Sequence, residues 1–174
     1  ALSKTATIQR MTIADDDGVW LTLEDMRLRW NRSALLRGQI DVEQLSAANL
    51  TLARTPKPSD AAMPSAEASG FSLPNLPVSI LIEELRVDRI LLGEPILGEA
   101  AEMSLSARAD LANGSGSTSL KAKRTDGAQG DFNIDASYDA QTQIAAIDVS
   151  LEEAAGGIAA RILNLPERPA VALN

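Results

Sequence analysis

The sequence predicts an all-β fold: an elongated antiparallel sheet with a few short helices, either curled open into a groove or closed as a β-sandwich. Two observations carry this. Apolar and polar residues alternate over long stretches, as in Leu21 and Leu23 and then Met26, Leu28 and Trp30, and a period of two with one apolar side marks a strand covered on one face. Turn signals such as Asn113-Gly114 and Asp126-Gly127 punctuate the second half at roughly 10- to 20-residue spacing, which reads as hairpins in meander order.

Ala6 to Ala14 reads as a first strand, with Ile8, Met11 and Ile13 apolar and a phase slip at Gln9-Arg10. The acidic turn Asp15-Asp16-Asp17-Gly18 leads into a second, Trp20 to Trp30. Three carboxylates beside a glycine invite a calcium reading. The alternating ligands and distant glutamate of an EF-hand are missing, so a tight turn with Gly18 at positive φ is the better account. The alternation slips again at Glu24-Asp25 and at Glu43-Gln44, and an inserted residue that flips the phase reads as a β-bulge or strand corner. Between the second and third strands, Asn31-Arg32-Ser33 can cap a short helical turn that ends at Gly38. It would plug the end of a sheet or simply join two strands. Gln39 to Arg54 follows as one bent strand or two, interrupted at Ser46-Ala47-Ala48-Asn49.

Thr55 to Pro77 holds five of the eight prolines and reads as a linker or surface excursion, with only Phe71, Leu73 and Leu76 able to pack. Val78 to Leu92 is the most apolar strand region. Gly93-Glu94-Pro95 turns the chain, and strands follow over Ala100 to Ala112, Ser117 to Arg124, Asp131 to Tyr138 and Gln143 to Leu151. Gly156-Gly157 opens a short helix within 157–164, and Val171 to Leu173 starts another strand. The organisation is therefore 1–54 with a helix at 32–37, a 55–77 linker, and 78–174 with a helix at 157–164. The order apolar, x, apolar, acidic, polar, apolar occurs at Leu21–Met26, Ile40–Leu45 and Ile80–Leu85. Leu23 and Val42 stand 19 residues apart and Val42 and Ile82 stand 40 apart, so the pattern reads as one repeat unit and then two in a stacked array.

At 174 residues and 45% hydrophobic composition there is material for a core. The first residue, Ala1, and the unfinished alternation AVALN at the end read as an excised piece of something longer. The net charge of −8, with basic residues scattered singly, argues against nucleic acid or an anionic membrane surface as partner. There is no cysteine and no histidine, so thiol, triad and ordinary zinc chemistry have no carriers. No metal or cofactor is expected. No apolar run approaches the roughly 18 residues of a membrane-spanning helix. With only five aromatic residues, the apolar face must be lined mainly by Leu, Ile, Val and Ala.

The run Leu21-Thr-Leu-Glu-Asp-Met-Arg-Leu-Arg-Trp30, followed by Ser33-Ala-Leu-Leu-Arg-Gly38, Ile40-Asp-Val-Glu-Gln-Leu45 and Leu50-Thr-Leu-Ala-Arg-Thr-Pro56, resembles the region beyond the N-terminal anchor in the TamB family. These are the translocation and assembly module subunits of Gram-negative bacteria, related to the AsmA-like, bridge-like lipid transfer proteins. Ala68 to Val78, Arg124-Thr-Asp-Gly127 and Gly156-Gly-Ile-Ala-Ala-Arg161 are similar to alphaproteobacterial members. The resemblance covers nearly the whole chain, and its motifs are ordered patterns of apolar alternation rather than catalytic signatures. It implies a β-sheet curled into a taco-shaped apolar groove, in a periplasmic protein anchored in the inner membrane. That family is implicated in moving phospholipid between the membranes and in assembling outer-membrane proteins, with the outer-membrane barrel TamA as partner. Neither anchoring nor TamA contact falls on any residue of this sequence.

The residues that line such a groove for phospholipid acyl chains are expected to be Leu21, Leu23, Met26, Leu28, Ile40, Val42, Leu45, Ile80, Ile82, Leu85, Val87 and Leu105. The phase slips leave open which of them share a face. The alternative function is a periplasmic scaffold that holds outer-membrane polypeptides by β-augmentation. An enzyme is not expected: the acidic pairs Glu83-Glu84 and Glu152-Glu153 sit on adjacent strand positions that point to opposite faces, as solvated edge or bulge residues would.

Overall fold

Alternation with one apolar side becomes a single sheet. In a computed structural model describing residues 4–57, 78–127, 129–162, 166–167 and 169–174, nine strands lie side by side in chain order. They are β1 (Thr5–Asp15), β2 (Gly18–Trp30), β3 (Gln39–Leu52), β4 (Ser79–Leu92), β5 (Ala101–Ala112), β6 (Ser115–Arg124), β7 (Gly130–Asp139), β8 (Ile144–Glu153) and β9 (Val171–Leu173). The sheet is open, with β1 at one edge and β9 at the other, and no second sheet faces it among the described residues. The closed sandwich is therefore not what forms. Most of the Pro-rich 55–77 stretch, with Phe71, Leu73 and Leu76, lies outside the described residues, as does most of the similar motif at 68–78.

One pairing departs from the antiparallel expectation. β3 and β4 run parallel, in register from Gln39↔Ser79 to Leu52↔Leu92. Parallel neighbours need a long crossover to bring the chain back to the same end, and the 53–78 connection supplies it. Each paired residue here is separated by 40 positions, so the 40-residue spacing of the repeated motif is this register. The 19-residue spacing is not a stacking repeat: β2 runs antiparallel to β3, and Leu23 pairs with Leu50 rather than with Val42.

Short segments join the strands. A 3-10 helix, Arg32–Arg37, connects β2 to β3 and ends at Gly38 in the left-handed region, whose N–H returns to the carbonyls of Ala34 and Leu35. The expected side-chain cap does not form. Asn31 instead donates to Asp41 at 3.1 Å and accepts from Ser33. The turn joins rather than plugs: Ala34 is buried, while Leu36 is 91% exposed. Gly93-Glu94-Pro95 opens a four-residue helix, α1 (Glu94–Leu97), and α2 (Ile158–Ile162) follows β8. Between β5 and β6, Asn113 (φ 53) and Gly114 (φ 76) form the two-residue turn whose positive φ values match the twist of a hairpin. The acidic turn after β1 is tight, with Gly18 at φ 102.

Candidate functional site

The lateral pairings show which side chains share a face, because residues directly opposite each other in a ladder point the same way. One rank runs Ala6–Leu28–Leu45–Leu85–Ala107–Leu120–Ile134–Val149, crossing eight strands. On one side of it lies Ala47–Val87–Leu105–Ala122–Phe132–Leu151–Leu173. On the other lies Trp30–Val42–Ile82–Ala109–Thr118–Ala136–Ile147. The outer ranks hold Leu21, Leu23 and Leu50 toward one end of the strands and Ile40, Ile80, Leu111 and Tyr138 toward the other. The sheet thus presents one continuous, largely apolar face.

The opposite face is polar. It carries Arg10–Glu24–Asn49–Arg89 and Ser46–Arg86–Ser106–Lys121–Asn133–Ser150, with ion pairs such as Arg89–Glu102 at 2.6 Å.

The phase slips keep the apolar set on its own side. Gln9 and Asp25 are left out of the ladder between Ile8↔Met26 and Arg10↔Glu24, and Asp25 takes φ 52. Glu43 is skipped between Arg29↔Gln44 and Trp30↔Val42. On β4 the register shifts at Glu83-Glu84 and again at Asp88-Arg89, the latter a slip that the sequence reading passed over. Without these insertions each strand would turn half of its apolar residues toward the polar face. Glu83 and Glu84 are thus bulge residues, and Glu84 accepts from Gln44.

All twelve residues nominated from sequence stand on the apolar face: Leu21, Leu23, Met26 and Leu28 on β2, Ile40, Val42 and Leu45 on β3, Ile80, Ile82, Leu85 and Val87 on β4, and Leu105 on β5. The nomination missed the continuation onto β6–β8, where Leu120, Ile134, Phe132, Ile147 and Val149 extend the face. Ala, Gly and Thr fill many of the positions between them, so the alternation is faint there in one-dimensional hydropathy. A cleft of about 320 Å³ opens in this small-residue region, lined by Ala109, Leu111, Thr118, Ala136, Tyr138 and Ile147 among others.

Burial is one-sided. Val42, Ala47, Val87, Ala101, Tyr138, Leu151 and Val171, the buried apolar strand residues, all lie on this face, with Val87 only 7% exposed. The same face remains open over β8, where Ile147 is 71% exposed. A cleft of about 470 Å³ on the polar side is lined by Arg108, Asp110, Asp135 and Asp148 together with apolar groups such as Leu81 and Ala146.

Two charged clusters flank the face. At the β1–β2 turn, Arg54 donates to Asp15 through both terminal nitrogens, Lys57 N–H adds a third bond, and Lys57 Nζ pairs with Asp17 at 2.7 Å. The Arg54 hydrogen bonds, then that of Lys57, hold the Asp15 carboxyl well below the usual carboxylate range. This turn is occupied by its own cations, and among the described residues no group of three Asp, Glu, His or Cys is placed to hold a metal ion.

The second cluster corrects the expectation that Glu152-Glu153 is solvated. Glu152 is exposed, but Glu153 points onto the apolar face beside Arg124, with side chains 1% and 6% exposed. Arg124 also bonds Asp126 (2.7 Å) and Glu99 (3.3 Å), and the Asp126 bonds above all keep its guanidinium more firmly protonated than usual. Removing one member of a buried pair leaves the other charge uncompensated, at a cost of about 3–5 kcal/mol.

Set against protein families, curated proteins and solved structures, the chain finds no match in any of the three comparisons.

Proposed function

We propose that this chain is a stretch of a hydrocarbon-carrying groove, in which phospholipid acyl chains lie along the apolar ranks and pass across the strands. The observation that carries the reading is the uncharged rank from Ala6 to Val149, which crosses eight strands on one face of an open sheet. Hydrocarbon needs no hydrogen-bond partners, and each buried methylene contributes about 0.8 kcal/mol. About ten methylenes then give roughly 8 kcal/mol, against an association cost of about 4–15 kcal/mol. A patch one strand wide would not hold a chain, whereas a face many strands long can. The role is transport rather than catalysis, since the face offers aliphatic side chains and no reacting group along this rank.

The resemblance to the TamB family supports placing this groove in the periplasm, in a protein anchored in the inner membrane that conducts phospholipid toward the outer membrane and works with TamA. The test is lipid carried through purification. Chloroform extraction followed by mass spectrometry should find phospholipid with the unmodified chain and several-fold less with Leu23→Glu or Ile82→Glu, both still folded by circular dichroism. Unchanged lipid in both variants, or outright unfolding of both, would favour a dry structural face instead.

One observation favours a scaffold as the second reading. β9 pairs only with Leu151–Glu153, which leaves the outer backbone of Ile144–Ser150 without a strand neighbour among the described residues. A photo-crosslinker at Ile82 that captures lipid supports transport. One at Asp148 that captures unfolded outer-membrane protein supports β-augmentation.

A further inference from the structure

We infer that α2 is a built-in cover for one end of the apolar face, fastened by a polar clasp and displaceable by hydrocarbon. The covering part stands on the structure alone, and only the displacement rests on the lipid reading. α2 lays Ala159 and Ala160 over Leu151 and Val171, with Phe132 packed alongside, and Ile158 is buried as well. These lie on the same face as Val149 and Ile147, which are exposed only a few residues along β8. The face therefore changes from covered to open within one strand, and the boundary is the helix.

Of the described α2 side chains, Ile158, Ala159 and Ala160 are buried, and two of these three are alanines, so a polar fastening adds to this small apolar contact. The fastening is Glu153. Its carboxylate accepts from the N–H of Ile158 at 2.8 Å and of Ala159 at 2.5 Å, while facing the Arg124 guanidinium at 3.4 Å. A carboxylate that receives two backbone N–H groups and a cation is strongly held, and here it ties the helix start to the sheet. Two glycines make room for it. A Cβ at Gly157 would fall inside the Glu153 carboxyl group, and one at Gly130 would lie 2.9 Å from Arg124 Cδ. The clasp is thus a fitted polar device set into a face that is otherwise largely apolar. A hydrocarbon chain reaching Leu151 would exchange alanine contacts for methylene contacts, and α2 would lift.

The chain has no cysteine, so Ala160→Cys in the full chain gives a single thiol on the underside of the docked helix. Its maleimide labelling should be slow, and should rise at least tenfold when Glu153→Gln is added, since an amide cannot accept from both the helix N–H groups and face Arg124 without presenting a donor to one of them. Gly157→Ala should raise it likewise, and serves if the glutamine variant fails to fold. A dansyl-labelled fatty acid should bind and speed labelling of the Ala160→Cys chain with Glu153 intact. Folded clasp variants that label no faster would overturn the clasp. A fatty acid that binds without speeding labelling would overturn displacement while leaving the lipid reading standing. A fatty acid that does not bind would overturn both of those and leave the clasp to the variant rates.

Discussion

Asp25 sits in mid-strand with a positive φ and an exposed side chain, and the phase of β2 turns on it. Aspartate tolerates the left-handed region better than most residues, and glycine better still. Asp25→Gly should therefore leave stability within about 0.5 kcal/mol, and Asp25→Ala should cost about 1–2 kcal/mol, read by urea unfolding. Deleting Asp25 is a different act: it would turn Met26, Leu28 and Trp30 to the polar face or force the preceding half of β2 to do so. Loss of a cooperative transition is expected, and retention of full stability would contradict its role in setting the phase of β2. At the β1–β2 turn, Asp15 has its carboxyl pKa depressed from the ordinary 3.8 by Arg54 and the Lys57 N–H. A depressed carboxyl contributes stability that is present above the unfolded value and is lost as pH falls through the folded one. Acid titration of stability below about pH 4 should therefore be shallower in Asp15→Asn than in the unmodified chain. Equal slopes would mean that the pair contributes nothing to folding.

Among the elements, β3 and β4 carry the same motif in the same direction and in register. Either one would satisfy β2. With β4 in the place of β3, Leu21 would meet Leu92, Leu23 would meet Ile90, and Leu28 would meet Leu85, so the apolar face would close up without a gap. Joining Gly38 directly to Ser79, with residues 39–78 removed, should give an eight-stranded sheet that still melts cooperatively. One new like-charge neighbour, Arg27 beside Arg86, would cost a few tenths to about 1 kcal/mol. A deletion product with no cooperative melt would show that β3 and β4 are not interchangeable. β8 illustrates the opposite case: its ten pairs with β7 run without a slip, so it has no bulge to twist its outer edge away from further pairing.

For the whole molecule, an apolar face that no second sheet covers among the described residues recovers only part of the roughly 1.5–3 kcal/mol that full burial of a large aliphatic side chain supplies. Cohesion then depends on lateral contact between neighbouring strands. On the proposed reading, the apolar area left unburied is the area an acyl chain would cover. The sequence by itself determined the strands, because a period of two is a local property that needs only neighbours to be visible. It also determined the phase slips at Gln9-Arg10, Glu24-Asp25 and Glu43-Gln44, and the absence of histidine and cysteine chemistry. Only the tertiary structure decided that β3 and β4 run parallel, that the small residues of β5–β7 continue the same face, and that Glu153 is buried against Arg124 rather than solvated. Each of these depends on which distant backbone lies alongside, and lateral register is set by pairing between strands far apart in the chain rather than by any one strand's own pattern.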